Sequence, residues 1–177
     1  MKKIAIAALL SVVVAPAVAA DEPHMYVGVR VGQAKTSINN TVLDTANPTA
    51  FGVFLGHTFS PNFAIEGEYL VLGEVKGGNG SAKSTGFSVS GVGSFPINEQ
   101  FSLFGKLGYA MITSKFGGSF TGPDAKSNAV TYGLGGQFNV SPGVGVRLGW
   151  DKYKLDDSSQ SLNGNVSLIS AGALFKF

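Results

Sequence analysis

Met25-Tyr26-Val27-Gly28-Val29-Arg30-Val31-Gly32 is the stretch on which the fold turns. Met25, Val27, Val29 and Val31 fall on one face of an extended chain, while Gly28, Arg30 and Gly32 fall on the other. A period of two marks a strand with unlike sides. The rhythm recurs down the chain. Phe51, Val53, Leu55 and Phe59 alternate with Gly52, Gly56 and Thr58, and Phe63, Ile65, Tyr69 and Val71 alternate with Ala64, Glu66 and Glu68. Phe87, Val89 and Phe95 face away from Ser88, Ser90 and Ser94, and Leu103, Leu107, Tyr109 and Met111 face away from Ser102, Lys106 and Gly108. Three more strands run through Val130 to Phe138, Val144 to Trp150, and Ile169 to Phe177.

The connections alternate in length. Ser60-Pro61-Asn62, Pro96 to Glu99 and Ser141-Pro142-Gly143 are tight turns built from turn-forming residues. Residues 36–48, 74–84, 113–128 and 156–164 are rich in Asn, Ser, Gly, Asp and Lys and read as long polar loops. Short turns at one end and long loops at the other match a transmembrane barrel, with turns toward the periplasm and loops outward. An even strand number returns both ends of the chain to the same side.

Only 14% of the residues are charged and 44% are hydrophobic, against about 25% charged in an ordinary soluble domain. No apolar run beyond the N-terminal segment is long enough to span a bilayer as a helix. Such a chain either carries an unusually apolar surface or meets lipid through strands. In a soluble sandwich or lipocalin-like barrel the apolar face would be the core. The opposite face argues for lipid, because it carries Gly28, Gly32, Gly52, Gly56, Gly86, Gly108, Gly133, Gly135, Gly145, Gly149 and Gly172. Glycine weakens a water-facing strand, whereas a narrow barrel interior needs small side chains beside its few large ones.

The N-terminus reads as an export signal. Lys2 and Lys3 precede an apolar run from Ile4 to Val14, then Pro16 and Ala17-Val18-Ala19-Ala20, which places cleavage before Asp21. Residues 1–20 are then a signal peptide and residues 21–177 one barrel domain. Without Lys2 and Lys3, 11 basic residues balance 11 acidic ones, so no basic surplus points to nucleic acid. Zero cysteines exclude disulfides and thiolate metal sites.

Parity turns Arg30, Glu66, Glu68, Lys106, Arg147 and Asp151 inward, three of each sign, on strands that all rise from the turn side. Buried ions are costly unless paired. An interior ion-pair network that closes the lumen is expected, with Arg30 and Arg147 bridging Glu66, Glu68 and Asp151; a water-filled lumen with loosely associated charges is the alternative. Outward aromatics form two girdles. Phe59, Phe63, Phe95, Phe101, Phe138, Phe175 and Phe177 lie near the short turns, and Phe51, Tyr69, Phe87, Tyr109 and Trp150 lie nearer the loops.

Over residues 25–177 the chain resembles the OmpA/OmpX-type small outer-membrane barrels, which include the opacity-like surface antigens. Ser170-Ala171-Gly172-Ala173-Leu174-Phe175-Lys176-Phe177 carries the most specific part of the likeness: a polar residue, a glycine two later, an aromatic three later and a terminal aromatic. Phe54 to Tyr69 and Phe101 to Tyr109 are also family-like, and Glu66 stands where the family keeps an interior glutamate. The resemblance implies an eight-stranded antiparallel up-and-down barrel in the Gram-negative outer membrane. It also implies that Ser170, Gly172, Phe175 and Phe177 are read by the barrel-assembly machinery. Further expected partners are periplasmic chaperones, outer-membrane lipid and lipopolysaccharide, and an extracellular ligand of the loops. The periplasmic domain of full-length OmpA has no counterpart in this sequence.

A catalytic barrel would need a nucleophile, a base and an orienting carboxylate. Of the two histidines, His24 stands loose at the periplasmic edge by this reading, and His57 faces lipid with no outward carboxylate on its strand. Asp44, Asp124, Asp156 and Asp157 match no calcium-loop spacing. Gly77-Gly78-Asn79-Gly80 and Gly133 to Gly136 lack the strand-to-helix context of a phosphate loop. No cofactor or metal is expected. A non-enzymatic envelope protein presenting surface loops follows, with a small-solute pore or adhesin as alternative and an outer-membrane lipid hydrolase as a weaker one.

Overall fold

A computed structural model describes residues 23–38, 41–42, 48–77, 80–118, 125–156 and 164–177, and every regular element in them is a strand. They are β1 (His24–Ile38), β2 (Thr41–Val42), β3 (Thr49–Ser60), β4 (Phe63–Gly77), β5 (Gly80–Pro96), β6 (Phe101–Gly118), β7 (Ala125–Ser141), β8 (Val144–Asp156) and β9 (Gly164–Lys176). From β3 onward each pairs antiparallel with its chain neighbour. β1 closes the ring by pairing with β3 on one side and β9 on the other. β2 only folds back on the end of β1, through Ser37↔Val42 and Ile38↔Thr41. Eight long strands therefore make a closed antiparallel barrel, which leaves the long strands no unpaired edge.

The tight turns form as their composition requires. Asn98 Oδ1 accepts from the backbone N–H of Gln100 at 3.0 Å and of Phe101 at 2.7 Å, an Asx turn that launches β6. Asn62 Nδ2 donates to the carbonyl of Ser94 at 2.9 Å, tying the first turn to the end of β5.

The apolar face is the outer one. Leu107, Tyr109, Met111, Leu134, Leu148 and Ile169 stand out from the wall, Tyr109 at 73% exposure. The charged and small residues lie inside, with Glu66 at 1%. This overturns the soluble alternative, in which the same apolar face would be a core.

Two expectations are corrected. The segments 36–48, 74–84, 113–128 and 156–164 are not loops throughout: β1 runs to Ile38, β4 to Gly77, β5 from Gly80, β6 to Gly118 and β7 from Ala125. Ladder hydrogen bonds join backbones, so hairpins continue past the apolar band where side chains turn polar. The remainders, 39–40, 43–47, 78–79, 119–124 and 157–163, lie outside the described residues, as do Asp44, Asp124, Asp157 and residues 1–22. His24, expected loose, opens β1 opposite Thr58.

The interior is layered. On the loop side Ala34, Ala50, Leu70, Leu72, Ala110, Ile112, Ala129, Tyr153, Val166 and Leu168 form a buried apolar cluster. On the turn side Tyr26, Phe54, Ala64, Val92, Phe104 and Leu174 form a second. The charged residues lie between them. The interior is thus a polar layer between two apolar ones.

Candidate functional site

The inward charges sit on alternate strands, and the strands between them give way. Arg30 of β1 has Gly52 of β3 and Gly172 of β9 as cross-strand partners. Glu66 of β4 lies between Gly56 and Ser90, and Lys106 of β6 is opposite Gly133. A methyl at Gly52 would come within 2.6 Å of Glu68 Oε1 and 3.1 Å of Arg30 Cγ, and one at Gly56 would enter the Tyr26 ring. The glycines of the inner face make room for long side chains that cross the lumen.

Two ion-pair groups result. Arg30 grips Glu68 with the Nε–Nη2 edge of its guanidinium, Nε toward Oε1 and Nη2 to Oε2 at 2.7 Å. Its Nη1 donates to Asp151, and Nη2 donates to the Tyr153 hydroxyl at 2.9 Å. A bidentate guanidinium–carboxylate contact is the geometry that fixes both partners most firmly. In the second group Arg147 Nη1 lies 2.6 Å from Glu66 Oε2, Lys106 Nζ lies 2.6 Å from Glu66 Oε1, and the Tyr26 hydroxyl donates to Glu66 at 3.1 Å. Lys106 joins the groups through Glu68 Oε2 at 3.7 Å. The Arg147 guanidinium also lies 5.1, 5.3 and 4.9 Å from the ring centres of Tyr26, Phe54 and Phe104, so cation–π attraction supplements its ion pair.

All six charges singled out in the sequence thus meet in one network. Sequence reasoning missed Tyr26, Tyr153, Phe54 and Phe104, although their inward parity was readable. It also missed Lys176, which shares that parity at the end of β9 and donates to Asn139 Oδ1 at 3.0 Å. Among the described residues its inclusion makes four inward Lys and Arg side chains against three inward carboxylates, not an equal balance. Among the described residues no buried side-chain nitrogen or oxygen lacks a partner. The void at the centre of the network measures only about 20 Å³.

The remaining candidates are placed as follows. Ser170 is buried and accepts from Arg30 Nη1 at 3.4 Å, and Gly172 leaves space beside Arg30. Phe175 is half-buried and Phe177 exposed. Phe59, Phe63, Phe95, Tyr69 and Tyr109 are exposed on the outer wall, while Trp150 is half-buried against Tyr132, ring centres 6.2 Å apart. His57 lies on the outer face, edge-on to Phe59 at 4.6 Å. Above Trp150 the register aligns Lys35, Ser167, Lys152 and Tyr132 across four strands, with Lys154 Nζ 5.7 Å from the Tyr132 ring. Among the described residues no group of His, Asp and Glu could hold a metal ion.

Comparison with known proteins agrees with this architecture. The family described as "Outer membrane protein beta-barrel domain" matches residues 5–177. No curated protein matches the chain. Among solved structures, the chain is similar to Ail, the attachment invasion locus protein of Yersinia pestis, solved with the heparin analogue sucrose octasulfate. That likeness has 24% identity and a TM-score of 0.66, and covers 88% of this chain and 99% of that one. Neisserial surface protein A is similar at 17% identity and a TM-score of 0.71, over 86% of this chain and 97% of that one. The outer membrane protease OmpT of Escherichia coli shares the fold at 10% identity and a TM-score of 0.56, over 87% and 97%.

Proposed function

The chain belongs to the outer-membrane β-barrel domain family and is a protein of the outer membrane; from that premise we propose that it is a closed, non-enzymatic barrel that reinforces the envelope and presents its hairpin tips outside. One observation carries this reading. The ion-pair network lies between two apolar layers, and the loop-side layer draws on seven of the eight long strands. The leucine, isoleucine and alanine of the loop-side layer lie across the lumen outside the ion pairs, so the apolar layer and the ion pairs are two barriers in series. The void of about 20 Å³ holds about one water and no solute.

Reconstitution into planar bilayers tests the closed state. The expected record is a baseline without a large steady conductance; a stable open level in the intact protein refutes closure and favours the small-solute pore. Against catalysis stands the placement of His57 on the lipid face beside Phe59, away from any carboxylate of the lumen. Incubation with phospholipid and peptide substrates is expected to release no product.

The outward row of Lys35, Lys152 and Lys154 supports contact with the anionic headgroups of lipopolysaccharide, since it lies on the loop side of the apolar band, beside the Tyr132–Trp150 pair. Residues 1–20 act as the export signal, and Ser170, Gly172, Phe175 and Phe177 serve assembly. An adhesive role belongs to the segments around 36–48, 74–84, 113–128 and 156–164. Deleting the hairpin tips and measuring cell attachment tests that role, with unchanged attachment as the refuting result.

A further inference from the structure

Below Arg147 the barrel opens on its turn side into a vestibule of about 410 Å³, within the size range of small-molecule sites. Its walls differ in kind. The β3 to β5 side contributes Thr58, Ser60, Phe63, Ala64 and Val92, whereas the β7 to β9 side contributes Gln137, Asn139, Arg147 and Lys176.

The second wall is a directed chain of hydrogen bonds. Arg147 Nε donates to Gln137 Oε1 at 2.9 Å, Gln137 Nε2 donates to Asn139 Oδ1 at 2.9 Å, and Lys176 Nζ donates to the same oxygen at 3.0 Å. Arginine and lysine only donate, so they dictate which way both amides point, and the usual ambiguity between amide oxygen and nitrogen does not arise. Both amide oxygens are thereby spent on donors. The chain leaves over two N–H groups of Lys176, one of Gln137 and the amide nitrogen of Asn139, a wall rich in donors and poor in acceptors.

Charge points the same way. Glu66, Glu68 and Asp151 are engaged by Arg30, Lys106 and Arg147 above the vestibule, and no described ion pair includes Lys176. The remaining carboxylate of the vestibule is Glu99, on the exposed turn at its rim.

We propose that this vestibule is a binding site for a small anion, a carboxylate or a phosphate, held by Lys176, Asn139 and Gln137. The site is independent of lumen closure, since its roof is the turn-side layer and its mouth faces away from the loops.

The test uses the protein refolded in detergent micelles. The side-chain amide resonances of Gln137 and Asn139 are followed by ¹H–¹⁵N NMR during titration with inorganic phosphate and, separately, N-acetylglycine, at ionic strength held constant with chloride. Saturable shifts at both amides are expected with at least one probe, and the tighter probe identifies the anion class. Lys176→Met is expected to weaken that binding at least tenfold. Lys176 neighbours the terminal aromatics, so Asn139→Asp provides a second variant. Its carboxylate would engage Lys176 internally and abolish the shift read at the Gln137 amide, the probe that remains in this variant, while preserving side-chain size. Linear shifts with both probes, or saturable shifts of equal affinity in both variants, overturn the proposal.

Discussion

Arg30→Met removes the cation that holds Glu68 and Asp151 together, and its cost can be worked from the geometry. Arg30, Glu68 and Asp151 side chains are 8%, 2% and 5% exposed, so water screens these pairs little. At an effective dielectric near 20, each contact at about 4 Å contributes about 4 kcal/mol of attraction. Desolvation of the guanidinium offsets part of the two contacts. The variant nevertheless keeps two buried carboxylates facing one another, with Lys106 3.7 Å from Glu68 as the nearest remaining aid. Breaking a buried pair by removing one partner costs roughly 3–5 kcal/mol, and the same loss is expected here. The assay is urea unfolding in phospholipid vesicles, followed by emission from Trp150, the sole tryptophan, and by the gel mobility of unheated samples. Replacing Arg30→Met together with Asp151→Leu is expected to recover part of that loss, because Glu66 and Glu68 then face Lys106 and Arg147 in equal number. A loss below about 1 kcal/mol in the single variant refutes the reasoning, since that value belongs to ion pairs in water.

Leu107→Arg tests which face meets lipid: it is expected to destabilise the vesicle-inserted protein by about 2–4 kcal/mol, and a neutral result would return the apolar face to a protein contact. Leu168→Ala should cost about 2–5 kcal/mol in the same urea titration through the cavity it leaves in the loop-side layer, while a cost near zero would mean that the layer is loosely packed. Gly52→Val is expected to spread the Arg30–Glu68 pair and lower the unfolding midpoint, whereas Gly93→Val, where an added Cβ meets nothing within 4 Å, should leave it unchanged. Glu66→Gln frees Lys106 and Arg147 of their shared carboxylate, yet no large steady conductance should appear in planar bilayers, because the apolar layer stays in place; an open level would show that the ion pairs alone hold the lumen shut.

Much of this was legible in the sequence because a strand's period of two assigns each residue to a face without reference to any other strand. Arg30, Glu66, Glu68, Lys106, Arg147 and Asp151 could be gathered inside from parity alone. Lys176 has the same parity, yet it stands inside the terminal pattern, where the flanking aromatics and not its charge carry the signal. The loop-side apolar layer left a fainter trace. Tyr69-Leu70-Val71-Leu72 and Tyr109-Ala110-Met111-Ile112 are apolar on both faces, where lipid is outside and packed side chains inside. Strand ends are not legible in the sequence because side-chain polarity changes at the membrane boundary, while backbone pairing continues beyond it.

The sequence by itself determined the strand succession, the outward apolar face and the set of inward charges, since these depend only on alternation and on turn-forming residues. Only the tertiary structure decided which carboxylate each cation holds and that Gly52 and Gly172 flank Arg30. It alone put leucines across the lumen above the network and left Lys176 over a donor-lined vestibule. Those outcomes depend on the stagger between strands distant in sequence: Arg30 and Asp151 are 121 residues apart, and only closure of β1 on β9 brings them into contact.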